Sequence, residues 1–360
     1  SPVPDLTLRA APLRAWRTRQ RLAVLVLCVA GGLLVPAYFL GIADVSHLAW
    51  DFRAYYVAAE AALRGAPFVG IEGGPPGVSY VYPPVSVLLF VPQAAAGGWQ
   101  VAFALQTVVS VVAALALAGL VLSTIETRRG RLPTVERLLV TGFCLATPPV
   151  VAIFGLGQVD TLIALALAGA FVALERDRQE IAGVALAFAA LVKVFPAALG
   201  LWLAWRRAWR ALGAAVLSGV GGLVAGALWF GLDAYRRYLG VLAGRSRVAD
   251  FAGTVSPNFF AMSLYRPLSQ FLPNVDPHLY AALAVLALAP VAAFAGRGAQ
   301  TFADRLATYL VALVVVLLVS PASNALYVVY VYFPVLCLLY LDATHRGQSA
   351  LLLGTTALVF

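Results

Sequence analysis

Apolar runs long enough to cross a bilayer recur along this chain from end to end, separated by short clusters of arginine. A membrane helix needs about 17 to 25 predominantly apolar residues to cover a hydrocarbon core about 30 Å thick. Of the 360 residues, 62% are hydrophobic and 11% charged, against about 45 to 50% and about 25% in soluble domains. Backbone polar groups inside a membrane must be satisfied internally, which helices do within each segment. The ten-residue alternation of a transmembrane β-barrel is absent. The expectation is an all-α integral membrane protein forming a single domain over residues 1–360.

The first run, near 22–43, follows "RAWRTRQR". It is too long for the h-region of a signal peptide and lacks a small-x-small cleavage site at its end, so it reads as a true span. Cys28, Cys144 and Cys337 each lie inside an apolar run without CxxC spacing and read as small core residues.

The net charge of +9 raises nucleic acid as a partner, but the arginines stand between the apolar runs, where topology determinants stand. Cytoplasmic loops are enriched in Lys and Arg. The clusters at 14–21, 126–137, 175–179, 205–210, 296–305 and 344–347 all fall on one side if the intervening segments cross an even number of times. That arrangement makes the N-terminus cytoplasmic in a plasma-membrane protein. It leaves two long outer loops, 44–98 and 232–277, and gives about eleven crossings.

Spans near 138–154 and 159–174 then form a hairpin turning at "GLGQVD". Residues 181–206 fold as two short legs turning at "KVFP", which carries Lys193 into the outer half of the membrane; a single Pro-kinked helix is the alternative. Residues 85–92, after Pro83-Pro84, dip into the membrane or lie on it. Later spans are near 211–231, 278–296, 304–319 and 324–342, the last two joined by "SPASN".

This topology, built from basic clusters, puts most of the unusual polar residues outside: Asp51, Arg53, Tyr55 and Tyr56 in "HLAWDFRAYY", Tyr82 in "YVYPP", then Gln158, Asp160, Lys193, Asn258 and Asn324. Ionisable groups at membrane depth line a cavity or pair with one another. Bland readings stand beside the functional ones. Asp51 can pair locally with Arg53, Asp160 can cap the helix beginning near 161, Gln158 can serve its turn, Lys193 can snorkel, and the tyrosines can form an interfacial belt. Arg236, Arg237, Arg245, Arg247 and Arg266 break the positive-inside pattern, and an anionic ligand is one explanation.

Five stretches in order over residues 47–335 resemble glycosyltransferase family 87: "WDFRAYYVAAEAALRGAPFV", "YVYPP", "GLGQVDTLIALALAGAFVALERDRQEIAGVALAFAALVKVFPAAL", "SPNFFAMSL" and "SPASNALY". The resemblance implies a GT-C-type multi-span helical bundle that transfers a sugar, usually mannose, from a polyprenyl-phosphate donor to an acceptor hydroxyl on the outer face. It places the catalytic base on Asp51. Two departures stand out: Leu326 and Tyr327 occupy positions where many bacterial relatives carry a histidine pair, and Asp160 stands where the family often has Asn.

Such a transfer needs a base for the acceptor hydroxyl, and a positioned carboxylate contributes about 10² to 10⁴ in rate; Asp51 is the candidate. The departing lipid phosphate needs cations. Lys193 is the first choice, with Arg266 and Arg245 behind it, and Arg53, Tyr55, Tyr56, Tyr82, Gln158, Asp160, Asn258 and Asn324 are candidate substrate contacts. No GxGxxG or DxD pattern marks a nucleotide sugar, and Asp51 with Asp160, unsupported by His, makes a poor metal site, so neither metal nor cofactor is expected. The partners expected are the lipid-linked sugar donor, an envelope lipid or glycan acceptor and the bilayer, with no nucleic acid. The rival class is a lipid or sugar transporter or flippase, since broken helices and buried charges also mark substrate paths. Polar residues gathered on one side, without an inverted repeat, speak against it.

Overall fold

The structure is a computed structural model and describes residues 6–41, 48–74, 76–244, 262–295, 300–341 and 351–356. These residues are overwhelmingly helical, with an isolated antiparallel bridge between Glu72 and Ser79. The α-helices are α1 (Leu6–Gly41), α2 (Trp50–Leu63), α3 (Val91–Ala95), α4 (Trp99–Arg129), α5 (Thr134–Ala146), α6 (Pro148–Leu156), α7 (Asp160–Glu175), α8 (Gln179–Val192), α9 (Leu199–Trp205), α10 (Trp209–Phe230), α11 (Leu232–Gly244), α12 (Tyr265–Phe271), α13 (Tyr280–Ala295), α14 (Phe302–Val319) and α15 (Tyr332–Leu341).

Four helical stretches, within α1 and along α4, α10 and α14, are each long and apolar enough to cross a membrane; α5 with α6, bent by 43° at Thr147, makes a fifth if counted as one span. Other apolar runs of the expected eleven fold as shorter helices, and breaks in the chain mark some of the boundaries. Pro148 and Pro149 open α6, since proline lacks the N–H of a helix interior but fits a first turn. Lys193 is extended at φ −130°, ψ 128°, and a 3₁₀ turn, Phe195–Ala198, with Pro196 follows it. Residues 181–206 are therefore two helices meeting at a break and not one kinked helix.

The segment expected as a long outer loop, 44–98, is largely folded where it is described. It contains α2, a 3₁₀ turn over Pro84–Leu89 and α3. Val87 and Phe90 are fully buried, so the 85–92 segment packs into protein through these side chains and does not simply lie on lipid. Tyr55 and Tyr80 are buried as well, which removes them from any interfacial belt. In the second expected loop, 232–277, α11 and α12 are present and residues 245–261 lie outside the described residues.

Small residues let the helices approach closely, as membrane packing requires. A Cβ added at Gly183 of α8 would stand 2.2 Å from the Ala211 carbonyl oxygen of α10, so α8 lies directly against α10. The far face of α10 is exposed at Leu217 and Leu228, apolar side chains suited to lipid. Trp209 and Trp229, both exposed, stand about 30 Å apart at 1.5 Å per residue. That spacing matches an aromatic residue at each membrane interface.

The bundle has two chemically distinct ends. Glu175, at the end of α7, meets Arg206 at 3.3 Å and Arg305 at 2.7 Å. Arg21 pairs with Glu136 at 3.0 Å and Arg128 lies 3.5 Å over the Phe302 ring. Five of the basic clusters thus converge on one another; the sixth, 344–347, lies outside the described residues. Asp160 opens α7 at its other end, about 22 Å away along the helix axis, and there the remaining polar residues collect.

Candidate active site

Asp51 stands in the first turn of α2, where the helix dipole favours a carboxylate. The start of α2 is tied to the end of α6: Ala49 N–H donates to the Gly155 carbonyl at 2.8 Å. Gly157 then closes α6 with φ 72°, the left-handed region that only glycine enters freely. A Cβ on it would meet the Phe52 Cβ at 2.5 Å. Glycine is therefore required twice, for the turn and for the contact with α2, and the contact puts Gln158 beside Asp51.

Gln158 joins the carboxylate to a pair of phenols. Its Nε2 donates to Asp51 Oδ2 at 2.6 Å, and its Oε1 lies 3.0 Å from Tyr55 OH and 3.1 Å from Tyr82 OH. The two hydroxyls are themselves 2.8 Å apart. Tyr55 follows Asp51 by one helical turn, so both face the same way, and its ring stacks on Phe90 at 4.7 Å. The Gln158 carbonyl is met from α4 by Gln106 at 3.5 Å and Ser110 at 3.4 Å, and Gln93 of α3 donates to Gln106 at 3.3 Å.

Two residues along the chain, Asp160 begins α7 without capping it; no side-chain cap is made there. Its carboxylate turns inward instead. Oδ1 lies 2.5 Å from Lys193 Nζ and also accepts from Tyr330 OH; Oδ2 is buried without a hydrogen-bond partner among the described residues. Asp160 is 0% and Lys193 5% exposed, so Lys193 does not snorkel. The ammonium also lies 4.1 Å above the Tyr327 ring and 5.8 Å from that of Tyr82, a cation–π arrangement. Tyr82 therefore borders both the Asp51–Gln158 unit and the Lys193–Asp160 unit.

The structure thus assembles Asp51, Tyr55, Tyr82, Gln158, Asp160 and Lys193. Arg53 and Tyr56 are engaged elsewhere: the Arg53 guanidinium lies 4.3 Å over the Trp99 ring, and the Tyr56 hydroxyl lies 3.0 Å from Glu60 Oε1 and 3.2 Å from the Gly97 carbonyl oxygen. Asn324 caps the 3₁₀ turn Ala325–Val331, its side chain accepting from Leu326 N–H at 3.0 Å. Arg266 stands in the first turn of α12, whose entry is tied to the Ser320–Asn324 turn by Met262 N–H on Ser323 O. Arg245 and Asn258 lie outside the described residues. Among the described residues no three His, Cys, Asp or Glu side chains gather as metal ligands.

Tyr327, Tyr330, Gln93, Gln106 and Ser110 belong to the cluster without having been expected there. Gln106 and Ser110, four residues apart and so on one face of the mostly apolar first half of α4, carried a readable signal. Tyr330, in the aromatic-rich "ALYVVYVYF", carried none.

Apolar helices enclosing carboxylates, an ammonium and phenols near one end define a helical membrane protein with an enzyme-like polar site. The chain belongs to glycosyltransferase family 87, whose family model matches residues 80–321, about two thirds of its length. It is accordingly a membrane glycosyltransferase. Tyr82, Gln158, Asp160 and Lys193 fall inside the matched stretch, whereas Asp51 and Tyr55 precede it. Comparison with curated proteins and with solved structures returns no match.

Proposed function

We propose that the protein transfers a sugar, mannose first among the candidates, from a polyprenyl-phosphate donor to an acceptor hydroxyl of an envelope lipid or glycan, with inversion. Asp51 is the general base. The observation that carries this reading is Asp51 itself, a carboxylate beside a helix start, held through Oδ2 by the Gln158 amide in a chain of family 87. The acceptor O–H gives its proton to Asp51 as its oxygen attacks the anomeric carbon. The bond from that carbon to the phosphate oxygen breaks, and polyprenyl phosphate leaves with the electron pair.

Charge growing on the leaving phosphate needs positive groups near it. Lys193 is one, but its charge is already matched by Asp160 at 2.5 Å. Arg266 and Arg245 supply what Lys193 alone does not. Among substrate contacts, Asn258 is proposed for hydroxyls of sugar and acceptor. The converging basic clusters face the cytoplasm by the positive-inside rule, which turns the Asp51 end to the extracytoplasmic side of the plasma membrane.

The test is transfer from radiolabelled polyprenyl-phosphate-mannose to total lipid and glycan acceptors by purified protein. The wild type is expected to transfer, and Asp51→Asn to fall by at least about a hundredfold while still binding donor. Equal rates would remove Asp51 as the base. Transfer from a different polyprenyl-phosphate sugar, with none from the mannose donor, would correct the sugar.

A further inference from the structure

We propose that Tyr55 and Tyr82 are positioning residues for Asp51: their phenols hold the Gln158 carboxamide in place, so that its N–H stays presented to the carboxylate. This rests on the reading of Asp51 as the base. It reassigns two tyrosines and a glutamine from substrate contact to control of that base.

A carboxamide has chemically opposite ends, an NH₂ that only donates and an oxygen that only accepts, while an ionised carboxylate only accepts. Turned over, Gln158 would set its oxygen against Asp51 Oδ2 across 2.6 Å, acceptor against acceptor. The amide contains nothing that chooses between the two orientations beyond that contact. The phenols add the second constraint from the far end, with hydroxyls 3.0 and 3.1 Å from Oε1. A phenol oxygen accepts as well as donates, so Asp51 makes the choice of orientation and the phenols fix where the amide sits once it is made.

The arrangement is redundant. With the hydroxyls also 2.8 Å apart, two phenolic protons serve three close oxygen pairs. Either tyrosine can donate to Oε1 while the other donates to its neighbour. Neither ring is loose: Tyr55 stacks on Phe90 at 4.7 Å, and Tyr82 leans on Tyr55 at 5.2 Å. The Gln158 carbonyl is approached separately by Gln106 and Ser110, so the amide group is set apart from the backbone that carries it.

Redundancy makes the kinetic signature specific. Steady-state transfer by Tyr55→Phe or Tyr82→Phe is expected to lose less than about threefold in kcat, because the other phenol still serves Oε1. The double variant should lose about ten- to a hundredfold, the worth of one hydrogen bond to a charged group, with the donor KM unchanged. Gln158→Leu should lose as much, and adding both Phe substitutions to it should lose no more, since groups acting through one partner are not additive.

Additive losses, a raised KM in either single variant, or a double variant as fast as wild type would overturn the proposal. If the double variant does not purify folded, Tyr55→Phe added to Gln158→Leu replaces it: no further loss supports the proposal and a further loss overturns it. Asp51→Asn runs alongside. An active Asp51→Asn removes the base itself, whereas an inactive Asp51→Asn with a fully active double variant removes the positioning role alone.

Discussion

At the scale of single residues, the Lys193–Asp160 pair is the strongest electrostatic feature of the interior. Two opposite charges 2.5 Å apart and almost fully buried are hard to remove singly, because the survivor is left charged in a poorly solvating interior. Asp160→Asn and Lys193→Met are each expected to destabilise the protein by about 3–5 kcal/mol. The double variant should be more stable than either, as read by thermal unfolding in detergent; single variants as stable as wild type would show that the pair does not hold the fold. The same pairing changes how Asp160 is understood. An acid at the first position of a helix invites a capping role, yet its carboxylate turns away from the helix start to reach a lysine 33 residues on. Nothing in the local sequence distinguishes the two outcomes, since the first turn of α7 is compatible with both.

At the scale of elements, the turns carry the specificity. Gly157 joins α6 to α7 and touches Phe52 of α2, so Gly157→Ala pushes α2 off the turn that holds Gln158. The expected result is a strain of about 1–3 kcal/mol, read as a lowered Tm, together with slower transfer at unchanged donor KM. Gly183→Val tests a different contact. Its Cβ would stand 2.2 Å from the Ala211 carbonyl, so α8 must part from α10; stability should fall by at least about 1–3 kcal/mol in the same unfolding measurement. The break at "KVFP" was legible from Pro196, which cannot sit in a helix interior without loss of a hydrogen bond. The lengths of the elements were less so. An apolar run reports that a segment is buried in lipid or protein, and it does not report how many turns of it stay helical.

At the scale of the whole molecule, the two ends of the bundle predict an orientation. In intact cells a membrane-impermeant maleimide should label Leu232→Cys, just beyond Trp229. Arg207→Cys, just before Trp209, should be labelled only in inverted vesicles. Both positions are exposed and the three native cysteines are buried, so the background is low. Labelling of both from one side would show that α10 does not cross. The helical membrane class, the grouping of most arginine clusters at one end and of Asp51, Tyr55, Tyr82, Gln158, Asp160 and Lys193 at the other were legible without coordinates, because hydropathy, charge and proline act locally along the chain. The partners were not. That Gln158 holds Asp51 across 107 residues, that Lys193 is matched by Asp160, and that Tyr330 joins them across 170 depend on how helices pack against one another. Helix packing in apolar surroundings is set by close fits such as Gly157 on Phe52 and Gly183 on Ala211, which leave no periodic trace in a sequence; they become visible only when the whole chain is folded.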